Sequence, residues 1–191
     1  MMKSKTGLFL DLSTKSSGWC IKNLITNELL GYGRIEKYRE EENDMRTRVL
    51  YMMDNIRVII DKYEPNKVVM EDVVPTINNS CTVKALAILQ GAVVGMCHTL
   101  DIEFDFVQVS QWHSALGILK SKGDLKEQSI NIANKKHGTE FIFKSKSSKF
   151  NEDDIADSAN IGTYYIGCDC TSSYSRRKVL YRIAKRYSAF S

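Results

Sequence analysis

NEDDIADSANIGTYYIG, residues 151–167, sets four carboxylates at the head of a run that soon turns apolar: Glu152, Asp153, Asp154 and Asp157. Acids in a first helical turn offset the positive end of the macrodipole. Asn151 followed by Asp154 has the spacing of an approximate capping box. Glu152, Asp153 and Asp154 are accounted for in this way, and Asp157 is not. It lies past the first turn, between Ile155 and Ala159, where a charge gains little from the dipole. An acid at that place must face something that other segments supply.

Two further acids fall in segments that read as buried strands. GLFLDL (7–12) is a short apolar run, and VVMEDV (68–73), introduced by Pro65-Asn66, is another. Asp11 ends the first and Glu71 lies inside the second. A carboxylate in a buried strand is costly unless it is paired or binds a cation. Taken singly, Asp11 suits a cap for the turn at Ser13, and Glu71 suits a partner for a lysine or arginine. Taken with Asp154 and Asp157, they form a set on elements predicted to share one core, with no basic residue in the same short motifs. Mg²⁺ takes hard oxygen ligands and keeps several waters. Two such ions roughly 4 Å apart clamp an in-line displacement at phosphorus. Asp154 and Asp157, three apart on a helix, point the same way, toward Asp11 and Glu71. Asp157 is therefore expected to face a metal.

The other segments supply the frame. SGWCIKN (17–23) and NELLGYGRIEKY (27–38) read as the next two strands, joined near Thr26-Asn27. Met45, Val49, Met52, Ile56, Ile59, Ile60 and Tyr63 recur at helical spacing over about 43–63. Residues 80–100 form a long apolar helix. EFDFVQVS (103–110) alternates like a strand, and QWHSALGI (111–118) is a short helix. A basic amphipathic helix over 124–137 stops at Gly138. Strands that first meander and then alternate with helices predict an α/β fold, a mixed sheet with helices on its faces.

Composition bounds the function. The 191 residues, 43% hydrophobic and 26% charged, suit one sizeable domain. The apolar stretch 83–100 contains Lys84, Gln90 and His98 and reads as a buried helix rather than a membrane span. MMKSKTGLFLDLS has too short an apolar run for a signal peptide. Five cysteines without a CxxC suggest reduced thiols in a cytoplasm-like compartment, and Cys168 and Cys170 read as ordinary thiols. Charge is uneven. Residues 171–191 carry six basic residues and no acid, and 120–150 carry eight lysines against Asp124, Glu127 and Glu140. The remainder of a chain of net charge +4 is therefore acidic. Two basic segments on an acidic body suit a polyanion partner with a metal site between them. Competing chemistries lack their signatures. His98, His113 and His137 have no H-x-x-x-H spacing, Ser13 and Ser17 lie in no G-x-S-x-G elbow, and there is no phosphate-binding loop.

These residues resemble a family. DLSTKSSGW (11–19) resembles the first motif of the RuvC-type Holliday junction resolvases, in which an Asp ends the first strand and a Ser/Thr-rich turn leads to Gly-aromatic. VVMEDV resembles their second motif, with Glu71 as the metal-binding Glu. DDIADSANIG resembles the last, with two Asp separated by two residues, and VSQWHSALGI with the following lysine-containing helix resembles the segment between. The likeness runs through roughly residues 7–167. It implies a ribonuclease-H-like fold with a mixed five-stranded sheet over residues 1–170, followed by a basic extension, 171–191. It also implies a homodimer that cuts four-way DNA junctions symmetrically with Mg²⁺ or Mn²⁺, two ions per site, leaving 5′-phosphate and 3′-hydroxyl ends. Carried over by position, Asp11, Glu71, Asp154 and Asp157 are the metal ligands, with Asp153 a rival for the third place. Lys126 matches a basic residue near the scissile phosphate. The apolar helix 80–100 is either the dimer interface or a plain core helix.

The chain departs from the family pattern in three places. Val74 and Pro75 stand where an aromatic wedge is expected, Trp112 or its neighbours replace a basic residue, and SRRKVLYRIAKRYSAF extends past the last motif. Relaxed sequence specificity is expected, as in phage-encoded relatives acting in a host cytoplasm. In the tail, Val179, Leu180, Ile183 and Tyr187 form an apolar stripe opposite the basic residues. It is either a helix packed on the domain or a DNA-binding arm. The expected phosphate contacts are Lys120, Lys122, Lys126, Lys144, Lys146, Lys149, Arg176, Arg177 and Arg182. The expected function is a metal-dependent nuclease for branched DNA, in recombination and repair. The alternatives are a nuclease of the same fold acting on RNA or an RNA–DNA hybrid, and a non-catalytic junction-binding module.

Overall fold

The computed structural model describes residues 5–36, 44–73 and 80–167. The expectations for Val74, Pro75, the Cys168–Cys170 pair and the tail with Arg176, Arg177 and Arg182 fall outside them. Five strands form one sheet in the order β3-β2-β1-β4-β5. They are β1 Thr6–Asp11, β2 Ser16–Asn23, β3 Leu29–Glu36, β4 Lys67–Glu71 and β5 Glu103–Val107. The first three run antiparallel as a meander, and β4 and β5 add in parallel to β1. The helices are α1 Met45–Tyr63, α2 Ser80–Thr99, α3 Val109–Leu116, α4 Leu125–His137 and α5 Asp153–Gly167. The mixed five-stranded sheet flanked by helices is the architecture the sequence predicts.

The period of two along a strand sorts its residues between two cores. Leu8 and Leu10 of β1, with Val68 and Met70 of β4, pack under α1 and α2. Phe9 and Val69 pack on the opposite face, with α3, α4 and α5. Asp11 follows Phe9 by two and Glu71 follows Val69 by two, so both acids lie on the α5 side. They sit one residue beyond the paired Leu10 and Met70, where β1 and β4 end together.

Capping sets the helix ends. The Asp44 side chain accepts from Thr47 N, and Glu64 in a left-handed conformation closes α1. Asp124 accepts from the amides of Lys126 and Glu127, and Gly138 ends α4 as expected. Strand and helix ends shift by a residue or two, and the largest shift is in β5, which stops at Val107, where alternation predicted a strand to Ser110. Val109, Trp112 and Leu116 also have helical spacing, and that period wins at Val109.

The close approach of α5 to the sheet depends on Gly18. It pairs with Asp11 across β1 and β2. A Cβ at Gly18 would lie 1.8 Å from the Asp154 carbonyl oxygen. Nearer its middle, α5 is held by Lys22, a buried lysine of β2. Its Nζ donates to Thr163 Oγ1 (2.8 Å) and the Ala159 carbonyl (3.3 Å).

Candidate active site

The turn after β1 is held by its own hydroxyls. Ser17 Oγ donates to the Ser13 carbonyl and accepts from the Ser13 amide, while Ser13 Oγ accepts from the Lys15 and Ser16 amides. The turn therefore does not need Asp11 as its cap. Among the described residues no hydrogen bond or ion pair engages the Asp11 carboxylate, which is surrounded by other acids. Burial raises its proton affinity well above the ordinary range, and then Asp157, Glu71, Asp154 and Asp153 raise it further, in that order.

Glu71 does not take the lysine or arginine that its position suggested. Its Oε2 accepts from Trp112 Nε1 at 3.1 Å, and its carbonyl accepts from Gln90 Nε2 at 2.5 Å. Trp112 is 1% exposed. Where sequence reasoning saw only a missing basic residue, the indole holds a site carboxylate. Burial lifts the Glu71 carboxyl to about 6, against the lowering effect of that bond.

Each acid in the head of α5 has its own partner. The Asn151 side chain does not cap the helix. It accepts from the Lys144 amide and donates to the Ser145 carbonyl, which shapes the preceding loop. Asp153 pairs with Lys126 of α4 at 2.8 Å. Asp154 is met by a cation that no short motif contained. Arg34 of β3 donates to Oδ1 through Nε (2.9 Å) and Nη2 (2.5 Å), while Ser16 Oγ donates to Oδ2 (2.5 Å). Asp157 takes a hydrogen bond from Ser129 Oγ of α4, and Ser129 in turn accepts from Asn160 Nδ2. Burial raises the Asp157 carboxyl to about 8; the Ser129 bond opposes this, and Glu71, Asp153 and Asp154 add to it.

The expected ligands Asp11, Glu71, Asp154 and Asp157 thus gather with Lys126 where β1 and β4 end under the start of α5. Asp154 acts on Asp11 more strongly than its rival Asp153 does. A cleft of about 360 Å³ opens there, lined by Asp11, Asp153, Asp154, Arg34, Lys126 and Lys149 among others. Lys144 and Lys146 are exposed on the loop that borders it. Lys120 and Lys122 do not line the cleft, and Lys122 Nζ bonds the Gly117 carbonyl at the end of α3. Sequence reasoning missed Arg34, Ser16, Ser129 and the role of Trp112.

The donor set fits a divalent cation by its chemistry. Asp11, Glu71 and Asp157 are hard oxygen donors crowded together, and a dication would offset the burial and repulsion that raise their proton affinity. Among the described residues, no three carboxylates, imidazoles or thiolates already stand arranged to hold an ion. Asp153 and Asp154 are directed to Lys126 and Arg34.

Residues 3–167 match the family described as Lactococcus phage M3 protein. The chain belongs to that family. The fold of this chain is like that of solved Holliday junction resolvases. The T. thermophilus RuvC structure in complex with Holliday junction substrate superposes with a TM-score of 0.63 at 14% identity, over 84% of this chain and 94% of that one. The Fowlpox virus resolvase, solved with substrate Holliday junction DNA, gives 0.54 at 15%, over 85% and 97%. The yeast mitochondrial Holliday junction resolvase Ydc2 gives 0.52 at 14%, over 85% and 78%. No curated protein matches the sequence.

Proposed function

We propose that the chain is a divalent-metal-dependent, structure-selective DNA endonuclease that resolves four-way junctions by paired symmetric nicks, with relaxed sequence specificity. One observation carries the reading. Asp11, Glu71 and Asp157 come from three elements to one place, while the fixed cations nearby engage only Asp153 and Asp154. The junction DNA in the T. thermophilus and Fowlpox virus structures supports the substrate class.

Asp11, Glu71 and Asp157, with Asp154, would hold Mg²⁺ or Mn²⁺. Bound there, the metal would supply a nucleophilic water at neutral pH and charge stabilisation at phosphorus. The chain's own residues orient the ligands. Trp112 fixes Glu71, Ser129 fixes Asp157, and Arg34 with Ser16 fixes both oxygens of Asp154. Lys126 and Lys149 at the cleft take phosphate oxygens. A water oxygen bonds to phosphorus and the bond to O3′ breaks. O3′ gains a proton, leaving 5′-phosphate and 3′-hydroxyl ends.

Two symmetric cuts need two sites related by a two-fold axis. The outer face of α2 is the surface we assign to that contact. Ala85, Leu89, Val93 and Cys97 bury one stripe of the helix in the core, while Ile88 (41% exposed), Gly91 and Gly95 face out. The buried stripe is core, and the exposed face is the one that supports the interface reading.

The test is cleavage of a labelled four-way junction beside linear duplex and an RNA–DNA hybrid, with Mg²⁺ or Mn²⁺. Paired nicks in the junction are expected, abolished in Asp11→Asn and Asp154→Asn while binding survives. Binding without cutting would leave a junction-binding module, and cutting confined to the hybrid would replace the substrate.

A further inference from the structure

Phe150 stands beside Lys149 in a loop that also carries Lys144 and Lys146. An isolated exposed apolar side chain is ordinary. Phe150 differs in three ways. Its ring is 72% exposed, the most of any aromatic side chain among the described residues. Its backbone is pinned: the Phe150 amide donates to Ser148 Oγ (3.1 Å) and the Ser148 amide to the Ser145 carbonyl (3.1 Å). The next residue, buried Asn151, ties the loop at Lys144 and Ser145 (2.9 and 2.7 Å). Finally, its neighbours Ser148 and Lys149 line the same cleft as Asp11 and Asp154. An apolar ring is therefore held out in water at the rim of a carboxylate cleft. Among the described residues its ring partner is the Lys144 ammonium, 4.8 Å from the ring centroid.

We propose that Phe150 is a stacking platform for an unpaired nucleobase at the branch point of the DNA substrate, with Lys144, Lys146 and Lys149 taking the adjoining phosphates. Inside a duplex both faces of each base are already stacked, so the ring has nothing to gain there. A branch point exposes base faces next to closely spaced phosphates. An aromatic ring among cations matches that combination, and stacking tolerates any base identity. The proposal rests on the nuclease reading above and deepens it by stating how branched DNA is told from linear DNA at this site.

The test uses the full chain in EDTA, so that no strand is cut. Binding is measured to a labelled four-way junction and to a linear duplex of the same sequence, and again to a junction with 2-aminopurine at the branch point. Phe150→Ala is expected to lose roughly 10- to 100-fold in junction affinity, the range of one lost base stack, with duplex affinity unchanged. Phe150→Trp retains junction affinity and quenches the 2-aminopurine. Lys146→Ala weakens junction and duplex together and lowers the salt dependence of both. Equal junction affinity in Phe150→Ala and the unaltered protein would overturn the proposal and leave the nuclease reading standing. So would equal losses on junction and duplex, which would make the ring a packing contact. If the unaltered protein fails to prefer the junction over the duplex, the nuclease reading for branched DNA fails and takes the platform with it.

Discussion

Among the described residues Asp157 is met by one hydroxyl and paired with no cation, and that is the physical content of its oddness in the sequence. Asp11, Glu71 and Asp157 are all held above their ordinary carboxyl range, by burial first. The folded chain therefore keeps protons that the unfolded chain gives up. This contribution to stability is fully present below the unfolded carboxyl range, about pH 4. It is lost as pH rises through about 6 for Glu71 and about 8 for Asp157. In EDTA, the melting temperature is expected to fall between pH 5 and pH 8.5. Mn²⁺ restores it most at the upper end, and Asp157→Asn reduces the slope. The scale is about 2–4 °C per kcal/mol for a chain of this size. A melting temperature flat in pH with and without Mn²⁺ would mean that the three acids are neutralised by other means. The acids themselves were legible because a charge interrupts an apolar run. Arg34, Ser16 and Trp112 were not, since each lies 41 to 138 residues from its carboxylate and has an ordinary local role as strand, turn or core.

At the scale of elements, period and capping carried most of the fold. The two cores follow from alternation along β1 and β4, and Asp44, Asp124 and Gly138 mark helix ends by their own chemistry. What periodicity does not encode is how near one element comes to another. The start of α5 rests on β2 only because residue 18 has no side chain. Gly18→Ala is expected to cost about 3 kcal/mol or more, at the upper end of overpacking penalties, because backbone must yield rather than a side-chain tip. Urea denaturation measures it. The same substitution should move Asp154 and lower Mn²⁺ affinity. A fully stable variant would show that α5 stands off from the sheet by more than the structure has it.

For the whole molecule, the unanswered surface is that of α2. A core helix and an interface helix have the same composition, so sequence alone left the two readings level. The structure buries the Ala85, Leu89, Val93 and Cys97 stripe as core and leaves Ile88 exposed. Ile88→Glu is expected to convert a dimer to a monomer with the circular dichroism spectrum kept, read by light scattering. It should also convert paired junction cuts into single nicks. A monomeric starting protein would remove α2 from the interface and require the two cuts to be made in turn.

Arg34 and Lys126 have a consequence in charge counting. They offset the charges of Asp154 and Asp153. Once ionised, Asp11, Glu71 and Asp157 leave the site with three unbalanced negative charges. Under the proposed function a pair of divalent cations would overshoot that by one positive charge, and one phosphodiester would supply the difference. Electroneutrality would then be reached only with metal and DNA aboard together, so each would become part of the other's binding site. Linkage requires the coupling to be equal in both directions. Ca²⁺ should tighten junction binding by the same factor by which the junction tightens Ca²⁺ binding, and titration calorimetry run both ways measures the two. Independent binding of metal and DNA would mean that the fixed cations leave the site balanced in some other way.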